Sequence, residues 1–72
     1  MTGQVCVGRI KLYFPYQGFG FIRTPDNDDY FFRDCDIECD KKRLRGKIVK
    51  FIPCKTNKGL RAKKIKETLL SN

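Results

Sequence analysis

The chain has 72 residues and a formal net charge of +8, with 16 Lys and Arg against 8 Asp and Glu. That length allows one domain, residues 1–72, and so small a domain buries only about 60% of its unfolded surface. A deep catalytic cleft beside a core is excluded on size, no apolar run approaches the roughly 20 residues that cross a bilayer, and function is expected on an open face.

Residues 5–14 are rich in β-formers (Val5, Val7, Ile10, Leu12, Tyr13, Phe14) and predict a first strand. Pro15-Tyr16-Gln17-Gly18 breaks it. Residues 19–24 predict a second strand, with Gly20 inside it as the mark of a bulge or a barrel corner. Pro25-Asp26-Asn27-Asp28 reads as a turn, because proline presets φ and Asp and Asn bond back to their own backbone. Residues 29–33 predict a short aromatic third strand. Residues 34–46 are polar, with Ile37 and Leu44 as apolar anchors, and predict a loop holding one helical turn. A fourth strand is expected over 47–55 on a core of Ile48, Val49, Phe51 and Ile52, where Pro53 signals an edge or the end of pairing. Thr56-Asn57-Lys58-Gly59 is a further turn, residues 60–66 predict the last strand, and residues 67–72 are expected to fray or to form a short helical turn. Five short strands without a helix imply an all-β fold. At this length a five-stranded antiparallel Greek-key barrel of the OB type is the economical form, since closure removes sheet edges.

The charge is uneven. Residues 1–37 carry four basic and five acidic side chains, whereas residues 38–72 carry twelve basic and three acidic. A basic half of this kind suits a polyanion such as DNA, RNA or an anionic surface, although a solvated surface tuned for solubility is the ordinary reading of a charge run. Met1-Thr2-Gly3-Gln4 has neither the basic nor the apolar segment of a secretion signal, so a cytoplasmic location and reduced thiols are expected. Of the four cysteines, Cys6 and Cys54 fall in predicted strands. Cys35 and Cys39 fall in the loop, as the pair more open to reaction. Their spacing is poor for zinc and the chain has no His, so no metal and no cofactor are expected. Asp26, Asp28 and Asp29 lack the Gly and Glu of a calcium loop. With no His, nucleophile motif or paired carboxylates in a pocket, catalysis is not expected.

The two-residue period of strands sorts the aromatic side chains. In the second strand Gly18, Gly20 and Ile22 share one face and Phe19, Phe21 and Arg23 the other. In the third, Tyr30 and Phe32 oppose Phe31 and Arg33. With Ile22, Tyr30 and Phe32 inward, Phe19, Phe21 and Phe31 point outward beside two arginines, as a stacking platform for unpaired bases. The opposite register makes Phe19 and Phe21 core, the commoner place for Phe. It then exposes Ile22 among glycines and puts Arg23 and Arg33 on the buried face.

Three stretches bear on that choice: Gly8-Arg9-Ile10-Lys11-Leu12-Tyr13-Phe14, Gln17-Gly18-Phe19-Gly20-Phe21-Ile22, and Asp29-Tyr30-Phe31-Phe32-Arg33 leading to Ile37. They resemble the cold-shock domain, whose pattern is Gly-x-Val-Lys-Trp-Phe-Asn, Lys-Gly-Phe-Gly-Phe-Ile and Asp-Val-Phe-Val-His. The likeness runs without a gap from Gly8 to Ile37 and resumes at Leu44, Val49-x-Phe51, Asn57-Lys58-Gly59 and 62–65. It implies a five-stranded OB barrel that binds single-stranded DNA and RNA and acts as an RNA chaperone or a regulator of transcription or translation; a monomer is expected. By the same resemblance Lys11, Tyr13, Phe19, Phe21, Phe31 and Lys58 are contact positions, and Asp29 accepts a bond from a base. Arg33 stands where the family has His, keeping a planar group and adding charge. Leu12 replaces the family Trp, Asp34 stands at a position that is often Phe, and the loop after Ile37 is two residues shorter and lacks a frequent Phe. Lys41, Lys42, Arg43 and Arg45 crowd that loop, a shift from stacking toward charge. The loss of rings motivates a second reading, a protein-interaction module with weak nucleic-acid binding, because an exposed Phe19-Phe21-Phe31 patch also suits a protein partner.

Overall fold

The computed structural model describes residues 4–68. Five strands, β1 (Cys6–Phe14), β2 (Phe19–Arg23), β3 (Asp29–Arg33), β4 (Ile48–Thr56) and β5 (Gly59–Glu67), close in the order β1-β2-β3-β5-β4. The all-β barrel expected from the sequence is therefore present, with every strand end within one residue of that expected; β5 takes in Glu67, the first residue of the segment expected to fray. The remainder of the expected fraying segment, residues 69–72, lies outside the described residues, as do residues 1–3. The helical turn expected between the third and fourth strands is a 3-10 turn at Asp34–Asp36.

The core follows from the strand period. Ile10, Ile22, Phe32, Val49, Phe51, Ala62 and Ile65 turn inward and are essentially inaccessible, and Tyr30 tilts against Phe51 with ring centroids 4.9 Å apart. Ile37 and Leu44, the two apolar anchors of the long loop, plug the same core. β2 and β3 pair without a slip, so Phe21 faces Phe31 and Ile22 faces Tyr30 across the ladder. The bulge lies in β1, where the register with β2 shifts between Ile10 and Leu12. It is not at Gly20, which is needed for a different reason: the Phe32 ring packs over it. A Cβ there would meet Phe32 Cζ at 2.6 Å and would collide with the Leu12 carbonyl.

Neighbouring strands run antiparallel except at the seam between β3 and β5, which is parallel and short, with Phe31 opposite Arg61 and Ile37 opposite Ile65. The Asp36 carboxylate holds it. Its Oδ2 accepts hydrogen bonds from Arg33 N at 3.0 Å and from Arg61 Nε and Nη2 at 3.2 and 3.0 Å. Asp36 is only 7% exposed. At the other seam β4 meets β1 over residues 48–51 alone. Residues 52–56 of β4 pair with β5 only, among the described residues, and Pro53 lies in this stretch opposite Ala62. The proline thus marks an edge, as its chemistry requires.

Removing one member of a buried ion pair costs about 3–5 kcal/mol, since the other charge is left uncompensated. Asp36→Ala unpairs Arg61, whose partial exposure to the groove places the cost at or below the lower end of that range, and also frees the Arg33 amide. The variant should lower the urea midpoint sharply with little change in m, leaving the fold near its stability limit. An unchanged midpoint would show that the seam does not depend on the carboxylate.

Candidate nucleic-acid interface

The outer surface of β1, β2 and β3 is an ordered grid, because residues opposed in an antiparallel ladder share a face. Phe14 opposes Phe19, and Phe19 opposes Arg33; Leu12 opposes Phe21, and Phe21 opposes Phe31; Arg9 opposes Arg23, and Arg23 opposes Asp29. The rings interlock. Phe19 and Phe31 have centroids 5.8 Å apart, Phe21 and Phe31 5.8 Å, Phe19 and Phe21 6.2 Å edge-on, and Phe14 and Phe19 5.2 Å. These separations fall in the range aromatic pairs prefer. Phe19, Phe21 and Phe31 are half-buried, because each covers the flank of its neighbours and leaves one face open.

The β1 bulge decides which β1 side chains reach this surface. It reverses the in-out order after Ile10, so that Leu12 and Phe14 turn outward. Tyr13 turns toward the barrel end and lies nearly parallel to Phe32, at 6.0 Å and 17°. Phe14, which the sequence reading did not include, is therefore the fourth ring of the cluster, tilted against Phe19. The run Leu12-Tyr13-Phe14 was the available signal, since three consecutive apolar residues break the polar-apolar alternation and leave the facing of this strand open. Tyr16, next along the β1–β2 turn, is 99% exposed.

Tyr13 stands at the border and not on the platform proper. Its hydroxyl donates to Asp34 Oδ1 at 2.6 Å. Burial, then the hydrogen bond to Asp34 and the charge on that carboxylate, push the phenol from 10.0 to about 12. Asp34 thus positions a ring in addition to placing a negative charge near the face.

Lys11, Arg23 and Asp29 form an exposed cluster at the lower row. Arg23 Nε donates to Asp29 Oδ1 at 2.9 Å, and Arg23 Nη2 and Lys11 Nζ donate to Oδ2 at 3.3 Å each. The hydrogen bond from Arg23 lowers the Asp29 carboxyl below its usual range; burial opposes this, and the hydrogen bond from Lys11 and the charges of both cations reinforce it. Two of the sequence-predicted site residues, Lys11 and Asp29, are thus joined to each other.

The ring cluster continues into an open groove of about 700 Å³. Phe21 and Phe31 form one wall; Arg33, Lys58 and Arg61 supply positive charge along the other side. Lys58 sits at the tip of the β4–β5 turn, which is held by its amide donating to Thr56 Oγ1 at 3.1 Å. Arg61 was not foreseen, since it reaches this groove only through the parallel seam. Cys35 lines the groove and is exposed, whereas Cys39 is half-buried and burial raises its thiol above the ordinary value. The two loop cysteines are therefore not an equivalent reactive pair. Among the described residues no cluster of Cys, Asp or Glu is arranged to hold a metal.

Among solved structures 41 chains match this one. They include the CSD456 cold-shock-domain segment of Drosophila Unr, with a TM-score of 0.74 and 24% sequence identity over 94% of this chain. The fold is that of a cold-shock domain. This cold-shock barrel spans 28% of the Unr chain it matches. No family model and no curated protein matches the sequence.

Two predictions follow from the polar groups. The folded-state pKa of Tyr13 is raised, so its contribution to stability is complete below pH 10 and is lost as pH rises toward 12. Urea midpoints measured across that interval should fall more steeply for the native chain than for Tyr13→Phe; identical slopes would remove Tyr13 as the cause. Asp29→Asn should release Lys11 and Arg23 and tighten oligothymidine binding about threefold, steepening the salt slope by about 0.7 for each further phosphate engaged. Weaker binding by that variant would instead assign Asp29 the role of base acceptor.

Proposed function

We propose that this domain binds single-stranded DNA and RNA by stacking bases on Phe19, Phe21, Phe31 and Phe14, with Arg33, Lys58 and Arg61 engaging phosphates along the adjoining groove. The observation that carries this reading is the aromatic cluster itself. Four phenylalanine rings lie on the outside of a small barrel, ringed by cations, while an independent set of side chains fills the core. Unpaired bases present flat faces to such a surface, and duplex bases do not. Binding, and not catalysis, is the activity. A cytoplasmic RNA chaperone or regulator of transcription or translation is the role that suits it, and the four unpaired thiols fit a reducing compartment.

Each ring that stacks a base contributes about 1–3 kcal/mol by alanine substitution, whereas a fully buried Phe contributes about 3–5 kcal/mol to the fold. Phe19→Ala and Phe31→Ala should therefore unfold at nearly the native temperature and bind oligothymidine about tenfold to a hundredfold more weakly. If about four phosphates are engaged, the slope of log K against log salt should approach −3. Folded variants with native affinity would refute the platform. A salt-independent affinity would favour the protein-partner reading.

A further inference from the structure

The strand order places β4 and β5 on the side of the barrel away from β2. Their outer surface carries Lys50, Lys63, Lys64 and Lys66, all exposed. Lys50, Lys64 and Lys66 line one shallow depression of about 250 Å³, with Val5 and Ile52 beside them. Lys50 and Lys66 are directly opposed in the ladder, where like charges repel. Little acid offsets them. Glu38 stands 3.8 Å from Lys66, and Glu67 pairs with Lys47 instead. Lys50, Lys63 and Lys64 have no ion pair among the described residues.

The backbone adds a second cost at the same place. Between the pairs Lys50–Lys66 and Ile52–Lys63, β5 carries one residue more than β4. Within that bulge Lys64 adopts φ 52°, a left-handed conformation that such bulges ordinarily give to glycine. Lysine at this position keeps two consecutive ammonium groups, those of Lys63 and Lys64, on the solvent side. Repulsion and strain coincide on one patch, and the core needs neither.

We infer that Lys50, Lys63, Lys64 and Lys66 form a second binding face, which grips the phosphate backbone of a nucleic-acid segment distinct from the one on the aromatic platform; this rests on the platform reading proposed above. The ligand supplies the negative charge that the protein withholds. Phe51 lies buried beneath the depression and no ring is exposed in it, so the face contacts phosphates and not bases, and it does not discriminate sequence. It therefore accepts a duplex, which the platform does not. An anionic bilayer is less suited, because the patch offers no exposed aromatic anchor. With both faces occupied, the domain sits where single-stranded and paired segments meet.

The test uses the full chain, a labelled oligothymidine and a labelled mixed-sequence DNA duplex, followed by fluorescence anisotropy over a range of salt. The wall variant combines Lys50→Thr, Lys64→Gly and Lys66→Thr. Threonine suits an exposed strand and glycine the left-handed site, so its Tm should hold or rise. A charge-matched control combines Lys41→Thr, Lys42→Thr and Arg45→Thr, and a third variant combines Phe19→Ala and Phe31→Ala. The wall variant should lose about tenfold or more in duplex affinity, and the magnitude of its duplex salt slope should fall by about 2.7, at 0.9 per phosphate contact removed. Its oligothymidine affinity should change less than about threefold, and the Phe variant should show the reverse pattern. Equal duplex losses in the wall and control variants would overturn the inference, since net charge alone would then explain binding. Absence of duplex binding by the native chain, alone or with binding to phosphatidylserine vesicles in its place, would also overturn it. A Phe variant that keeps oligothymidine binding, beside a wall variant that loses the duplex, would instead reject the platform and leave the second face standing.

Discussion

The Asp36 carboxylate is the interaction on which the architecture depends. Four of the five seams in this barrel are antiparallel ladders with several paired residues each. The seam between β3 and β5 has two points of pairing, at Phe31 and at Ile37. Such a contact does not hold a sheet closed by backbone hydrogen bonds alone. Asp36 supplies the missing attachment by accepting from the end of β3 and from the Arg61 guanidinium of β5. A buried carboxylate tolerates desolvation only when its oxygens are so occupied. The latch also brings Arg61 to the groove beside Phe31, so one ion pair serves both closure and the placement of a cation at the interface.

The outer surface depends in turn on the bulge in β1. Without it Tyr13 would share a face with Lys11, and Phe14 would point into the barrel end. With it, the Tyr13 hydroxyl reaches Asp34 and the Phe14 ring reaches Phe19. Asp34, which stands where the family often has Phe, accepts in the fold the hydrogen bond that fixes Tyr13. Lys11 lies at the bulge itself and turns to Asp29. The positive charge of the lower row is therefore partly neutralised within the protein, and the cations of the groove, Arg33 and Lys58, stand farther from acid.

The parts of this structure that were legible in the sequence are those governed by uninterrupted alternation. β2 and β3 are each five residues long and pair without a slip, so the inward set of Ile22, Tyr30 and Phe32 and the outward set of Phe19, Phe21 and Phe31 could be read by parity. Ile37 and Leu44 were legible as anchors because nothing else large and apolar occurs in their loop. β1 was legible as a strand but not in its facing: the run Leu12-Tyr13-Phe14 breaks the polar-apolar alternation without saying which of the three turns inward. Ion pairs between distant segments, Asp36 with Arg61 and Asp29 with Lys11, depend on register and closure, which pattern does not encode. The strained position of Lys64 was hidden for a related reason: a bulge that carries lysine where glycine is usual gives no glycine to notice. Family resemblance in three short stretches was enough to anticipate the cold-shock barrel, even though 24% identity to the Unr segment leaves most side chains different.

Pro53 has a consequence beyond ending a ladder. The outer edge of β4 over residues 52–56 has no pairing strand among the described residues, and an open edge is a template on which a second copy can add its own strand. A strand that adds there needs a regular row of amide donors, and the proline nitrogen has none to give. Repulsion between highly charged copies also keeps them apart, but its reach contracts to about 8 Å at physiological ionic strength. The missing donor does not depend on salt. Concentrated solutions of this domain therefore have a safeguard against edge-to-edge polymerisation that persists when electrolyte has removed the protection of charge.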